Sequence, residues 1–178
     1  MKKSRAIATG MLGAGLGYGL WRGWEKGLAH VWQSTFGSPD LGPVDFERLE
    51  RRATPNDSLV GPRRLFPRAK PDFEPPVYPI PAERLRAIAS EAALQERDTT
   101  LVHSNGTQDR YLVRTRLLRF PDTVNVTVIA LGQDRSTLAL YSRSQIGRSD
   151  LGTNRRRLRR WVERISRSVA AERPGSGR

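Results

Sequence analysis

The stretch from Tyr141 to Arg164, YSRSQIGRSDLGTNRRRLRRWVER, decides how the whole chain is read. The apolar run Thr137 to Tyr141 enters it, a Gly-Arg-Ser-Asp-Leu-Gly turn at 147–152 reverses it, and an arginine-loaded segment leaves it. In that segment Leu158, Trp161, Val162, Ile165 and Val169 recur at helical spacing and make one apolar stripe. Arg155, Arg156, Arg157, Arg159, Arg160, Arg164 and Arg167 fill most of the other positions and read as a solvated face. The spacing predicts an amphipathic helix from Leu151 to Ala171, docked on a sheet.

The segments upstream supply that sheet. Ser136 to Arg143 reads as the last strand, with Leu138 and Leu140 inward. Thr123 to Leu131 puts Val124, Val126 and Val128 on one face and Asn125 and Thr127 on the other. Arg110 to Phe120 alternates likewise, with Tyr111, Val113, Thr115 and Leu117 against Arg114 and Arg116, and Pro121-Asp122 ends it. Thr99 to Ser104 is short and β-branched, and Asn105-Gly106 is a hairpin turn pair. Before these, Pro81 opens a helix, AERLRAIASEAALQE, with Leu85, Ile88, Ala89 and Ala92 on one side. Helix, four strands and helix joined by short turns predict an α+β domain over 78–171. Its core is a roughly four-stranded antiparallel sheet with one polar face and one face covered by an N-terminal and a C-terminal helix.

The segment 37–77 has another character. Ten of the twelve prolines lie between 37 and 81. It reads as an extended linker, with a brief helix over Asp45 to Arg52 and a turn at Thr54 to Asp57. Leu65, Phe66, Phe73, Val77, Tyr78 and Ile80 are too many apolar groups for a free linker, so part of it is expected to wrap the domain. Residues 172–178 read as a disordered tail.

At the N-terminus MKKSR precedes sixteen residues without a charge, Ala6 to Trp21. As a helix that run spans about 24 Å against the roughly 30 Å hydrocarbon core, a mismatch met by local thinning and by snorkelling of Arg22. Trp21 and Trp24 suit the interface, and Gly13/Gly17 and Gly15/Gly19 permit close packing in lipid. Leu28, Val31, Trp32 and Phe36 continue at helical spacing as an interfacial extension. Residues 1–36 are therefore expected to be a membrane anchor, a single N-terminal hydrophobic helix preceding the domain. With Lys2, Lys3 and Arg5 inside, this is a single pass of a bacterial inner membrane with the domain in the periplasm. The glycines match neither a dinucleotide nor a Walker loop.

Composition narrows the partners. Thirty-one Lys+Arg against eighteen Asp+Glu give +13, which favours anionic lipid, an acidic protein or another anionic ligand. Few aromatics interleave the charges and no recognition module matches, so nucleic acid is the less favoured partner. Cysteine is absent and the histidines are His30 and His103 only, so no disulfide, thiolate site or histidine-rich metal site is expected, and no cofactor.

At the junction itself Asp150 or Ser149 suits the N-cap of the last helix, and Gly147 suits a positive φ. A helix N-terminus flanked by arginines also suits an anion, so Arg143, Arg148, Ser149, Asp150, Asn154 and Arg155 form the candidate ligand site. Asp150 opposes an anion there unless an arginine pairs with it. Ser149 has no base partner except His103 on a distant strand, so no residue is assigned as catalytic. A non-enzymatic binding or envelope-associated module is the expected function. The alternatives are an enzyme acting on an anionic substrate at Ser149, Asp150 and Asn154, and a nucleic-acid binder.

SRSQIGRSDLGTNRRRL, from Ser142 to Leu158, with LLRFPDTVNVTVIAL and the TPND segment upstream, resembles the domain-of-unknown-function 1499 family. The likeness covers roughly Thr54 to Ile165, with Gln145 where the family often has arginine. It implies a bacterial or plastid-associated protein, often with an N-terminal hydrophobic segment, and carries no activity with it.

Overall fold

The computed structural model of the protein describes residues 21 and 23–172. The predicted N-terminal hydrophobic helix falls mainly on residues 1–20, which lie outside the described residues. A first helix, α1, covers residues 23–36. It is followed by β1 (Asp57–Val60), a 3-10 turn (Arg63–Leu65), α2 (Ala82–Leu94), β2 (Thr99–Ser104), β3 (Asp109–Arg114), β4 (Pro121–Ala130), β5 (Ser136–Ser144) and α3 (Thr153–Ala171). The sheet runs β1-β5-β4-β3-β2 with every neighbour antiparallel.

The α+β class holds, but the sheet has five strands where four were predicted. The added strand is β1, which pairs Asp57 with Arg143 and Val60 with Leu140. Its four residues, DSLV, carry no alternation long enough to read alone; only the unpaired edge of β5 makes them a strand. Two further expectations change. β3 stops at Arg114, and residues 115–120 form a turn in which Thr115 and Phe120 exchange hydrogen bonds and Arg119 takes φ 56°. Pro121 does not end a strand but begins β4, opposite Arg114, where a missing N–H is tolerated. No helix forms over 45–52; those residues are bends and extended chain.

The helices cover one face of the sheet. Leu85, Ile88, Ala89 and Ala92 of α2 and Leu158, Trp161, Val162, Ile165 and Val169 of α3 are buried there against Tyr111, Val113, Val124, Val126, Leu138 and Leu140. Trp161 is fully buried and meets Tyr111 edge-on, 5.6 Å between ring centres. Arg86 ties α2 to β3 by pairing with the buried Asp109 carboxylate at 2.6 Å.

The opposite face, expected to be polar and open, is covered too. Leu49, Leu59, Phe66, Ala69, Ala139 and Tyr141 form a second apolar cluster on it. Thr123 and Asn125 are buried because the backbone of residues 41–44 lies across them. The Leu41 N–H donates to Thr123 Oγ1 at 3.0 Å, and Asn125 Nδ2 donates to the Gly42 carbonyl at 3.2 Å. Gln108 takes the Val44 N–H and donates back to its carbonyl. The covering chain thus partners Thr123, Gln108 and the Asn125 amide N–H, while Asn125 Oδ1 and Thr127 Oγ1 are buried without a partner.

One polar knot holds the covering segment to β1. Asp57 accepts from Arg51 and from the Tyr141 hydroxyl, each at 2.6 Å. Burial and that bond to Asp57 raise the Tyr141 hydroxyl above its ordinary value. Asp72 accepts from the Leu59 N–H (2.9 Å), Ser58 (2.8 Å) and Arg51 (3.2 Å). Burial alone would raise its carboxyl, but these donors outweigh it and hold the group below the usual aspartate range. A depressed folded-state value contributes stability that is complete above the unfolded value of about 3.9 and is lost as pH falls through the folded one. Asp72→Asn is therefore expected to lower the urea midpoint at pH 7 and to flatten the further fall between pH 5 and pH 2. An unchanged acid slope in the variant would show that Asp72 contributes nothing to it.

Candidate functional site

The junction between β5 and α3 is wound tightly. Gly147, Leu151 and Gly152 have φ of 97°, 51° and 75°, which places three residues in the left-handed region within six positions. The Asp150 carboxylate accepts from the Gly152 N–H at 2.9 Å and from the Asn154 N–H at 2.7 Å. The N-cap position falls to Gly152, not to Asp150 or Ser149 as expected, yet Asp150, two residues before it, occupies N–H groups that an incoming anion would need. Ser149 Oγ accepts from the Leu151 N–H at 3.2 Å.

Asn154 lies fully buried beneath this turn. Its Oδ1 accepts from Ser142 Oγ (2.5 Å) and from Arg157 (2.6 Å). Its Nδ2 donates to the Asn56 carbonyl (3.1 Å) and to Ser144 Oγ (3.0 Å). All four positions of the amide are used. Arg157 is only 3% exposed, and it donates to Ser142 Oγ at 3.0 Å and to the buried Asp122 carboxylate at 2.6 Å. Asn56 donates to the Gly147 carbonyl at 2.7 Å, which closes the network back onto the turn. One connected set of hydrogen bonds therefore joins the segment entering β1, the start of β4, the end of β5 and the first turns of α3.

The six residues expected to form the ligand site do not converge. Asp150 and Asn154 belong to the network, and Ser149 lies exposed on the turn. Arg148 and Arg155 are exposed and reach no carboxylate among the described residues. Arg143 points to the other face of the sheet, where it donates to the Leu41 and Gly42 carbonyls at 2.9 and 2.8 Å. Burial there lowers its pKa. Alternation along β5 dictates this: Ser142 and Ser144 face α3, so Arg143 cannot.

Sequence reasoning missed Arg157, which it counted with the solvated arginines. Its position held the signal, four residues before Trp161 and beside Leu158 on the buried stripe. It also missed a cleft of about 580 Å³ at the meeting of the α2 end, the β3 end and the start of α3. Arg97, Arg114, Arg116, Arg157, Arg160 and Arg164 line the cleft, against Glu96 and Asp98. Glu96 takes Arg160 and Arg164 at 2.5 and 2.8 Å, and Asp98 takes Arg119 at 2.7 Å. Burial would raise the Glu96 carboxyl, but the two arginines hold it below its ordinary value. No carboxylate among the described residues reaches Arg97, Arg114 or Arg116. Arg114 is half-buried, and burial, with Arg119 adding to it, lowers its pKa. Its guanidinium donates to the Arg119 carbonyl, away from the helices that Val113 faces, so the exposed, unneutralised Arg97 and Arg116 are the groups the cleft offers to an anion. Among the described residues no group of three or more histidine or carboxylate side chains could hold a metal ion, and no helix is long and apolar enough to cross a membrane.

Removing one partner of a buried ion pair leaves the other charged and unpaired, at a cost of about 3–5 kcal/mol. Arg157→Ala is expected to lose about that much in urea denaturation, whereas Arg155→Ala stays within about 0.5 kcal/mol. Arg157→Lys should not restore the loss, since an ammonium cannot span Asp122, Ser142 and Asn154 with a planar fork. Equal stability of the Arg157 and Arg155 variants would remove the structural role assigned to the pair.

Comparison with known proteins bears on the same region. A search of curated proteins gave no match. Residues 43–165 match the family model described as Protein of unknown function (DUF1499), a span that begins in the covering segment and takes in the sheet, α2, the junction and most of α3. The chain thus belongs to the DUF1499 family.

Proposed function

We propose that this chain is a membrane-anchored binding module that takes an anionic partner in the arginine-lined cleft and does not transform it. The observation that carries the reading is the 580 Å³ cleft in which Arg97 and Arg116 lie exposed, without a carboxylate partner among the described residues, while their neighbours Arg160 and Arg164 are neutralised by Glu96. A guanidinium in that setting gains from a ligand anion what it lacks from the protein. The cleft replaces the β5–α3 junction as the place where the excess positive charge acts, since Asp150 already fills the helix terminus. Asp150 and Asn154 are committed to hydrogen bonds within the fold, and Ser149 sits without a base beside it, which speaks against chemistry at that junction. The tether rests on the basic cluster and uncharged run of residues 1–21, and its charge order places the domain in the periplasm of a bacterium.

Two measurements test these parts separately. The full-length chain is expected to stay with membranes through a carbonate wash, and its recovery in the soluble fraction would remove the tether. For the cleft, full-length protein in a neutral detergent is titrated with inorganic pyrophosphate and followed by thermal unfolding. A saturable rise in Tm is expected. The paired substitution Arg97→Ala with Arg116→Ala should weaken the apparent Kd by at least about tenfold, the equivalent of 1.4 kcal/mol. The same affinity in a folded variant would take the cleft out of the reading.

A further inference from the structure

We infer that α1 and the turn at 115–120 form a membrane-surface seat, holding the domain in one orientation with the mouth of the arginine cleft beside the lipid headgroups; this rests on the tether proposed above.

The helix carries two apolar stripes. Ala29, Trp32 and Phe36, with Glu25, recur at i, i+4, i+7 and i+11 and make the side that meets the domain. Trp32 donates its Nε1–H to the Leu118 carbonyl at 2.6 Å and stacks at a tilt on Phe120, 5.0 Å between ring centres. Glu25 pairs with Arg119 at 3.5 Å. Both contacts fall on the 115–120 turn, so α1 lies along that turn rather than projecting from it. The second stripe, Trp21, Trp24, Leu28 and Val31, recurs at i, i+3, i+7 and i+10 and is rotated about a quarter turn from the first at 3.6 residues per turn. Three of its four side chains are uncovered, Trp24 at 56% exposed, Val31 at 48% and Trp21 at 44%, and Leu28 is half-buried.

The turn under the helix is apolar at its tip. Leu117 is 67% exposed and Leu118 46%, and the turn is closed by backbone bonds and Thr115 Oγ1 that need neither leucine. Leu151 is 83% exposed in a left-handed backbone conformation, which a leucine adopts only at a cost. It borders the same shallow depression as Thr115 and Phe120. Nothing in the fold calls for leucine at these three places.

The occupant follows from where the chain comes from and from charge. The uncharged run Ala6 to Trp21 delivers the chain directly into this helix, so the uncovered stripe starts where the apolar segment ends. Tryptophan, leucine and valine on one face with Lys26, His30 and Gln33 on another is the pattern of a helix lying in a bilayer interface. Arg116 of the cleft stands directly before Leu117, so a bilayer that takes the leucines meets its guanidinium at headgroup depth. An anionic bilayer satisfies both parts; a second protein would have to match an apolar strip and a basic mouth at once.

The chain has no cysteine, so single labelling sites can be introduced freely. Full-length Leu118→Cys, Leu151→Cys and, as a control beside the β4–β5 turn at the other end of the sheet, Val77→Cys are spin-labelled and reconstituted in vesicles of equal phosphatidylglycerol and phosphatidylcholine. Collision with oxygen is compared with collision with a water-soluble nickel chelate. At 118 and 151 the oxygen-to-nickel ratio is expected to exceed the control several-fold. In a chain also carrying Trp24→Ser, Leu28→Ser and Val31→Ser, all outside the core, the label at 118 is expected to return to the control value while the protein still survives a carbonate wash. If the labels at 118 and 151 match the control in protein that survives the wash, the seat is wrong and the tether stands. If the protein washes off the vesicles, the tether fails and the seat with it. Protection at 118 that persists after the triple substitution would overturn the role given to α1.

Discussion

Arg157 and Asp122 face each other in the interior, and the arrangement of the domain's central joint follows from the need to satisfy them. Two charges removed from water cost more than their attraction returns unless further hydrogen bonds complete their shells. Ser142 and Asn154 supply those bonds to the arginine, and Asn154 is in turn fixed by Ser144, the Asn56 carbonyl and the Asp150 carboxylate. The participants come from α3 (Asn154, Arg157), β5 (Ser142, Ser144), β4 (Asp122) and the residue before β1 (Asn56), so meeting the demand sets the distance and register between β1, β4, β5 and α3. A wholly apolar joint would hold as well but would specify the register less sharply. The dense run of polar and conformationally special residues from Ser142 to Arg157 is the local cost of that specification.

The same logic explains why the segment before the helices belongs to the folded body. Thr123, Asn125 and Tyr141 lie on the sheet face away from the helices, and each finds a partner in residues 41–57. Apolar groups of that segment, Leu49 and Phe66 among them, close a second core. The sheet is thus sandwiched between helices on one side and proline-rich extended chain on the other. Extended chain suits this place because its unpaired carbonyls can accept from Arg143 and Asn125.

With both faces covered, the exterior features left over are charge and a small set of exposed apolar side chains. Trp21, Trp24, Val31, Leu117, Leu118 and Leu151 lie on α1, the 115–120 turn and the turn before α3, near the arginine cleft, whereas Val77, Leu101 and Val102 are exposed elsewhere. In the proposed reading a tether at the N-terminus would make the α1 end the one nearest the bilayer, because α1 is pinned to the turn by Trp32 and Glu25. Binding and anchoring in the proposed reading are then aspects of one surface.

Much of this was legible in the sequence. The stripes of α2 and α3, the alternation of β4 and β5, and the bonds of Asp150 to the start of α3 follow from local periodicity and short-range hydrogen bonding, which a sequence carries directly. The fifth strand was not legible, since DSLV becomes a strand only through pairing with residues eighty or more positions away. The burial of Arg157 was half legible: its place on the apolar stripe was visible, its partner Asp122 was not. The cleft was invisible, because its arginines come from three separate elements. By itself the sequence determined which segments are helix or strand, which faces are apolar and how much positive charge there is. Only the tertiary structure decided which arginines are consumed inside and which face an open cleft, because neutralisation depends on distances between residues far apart in the chain.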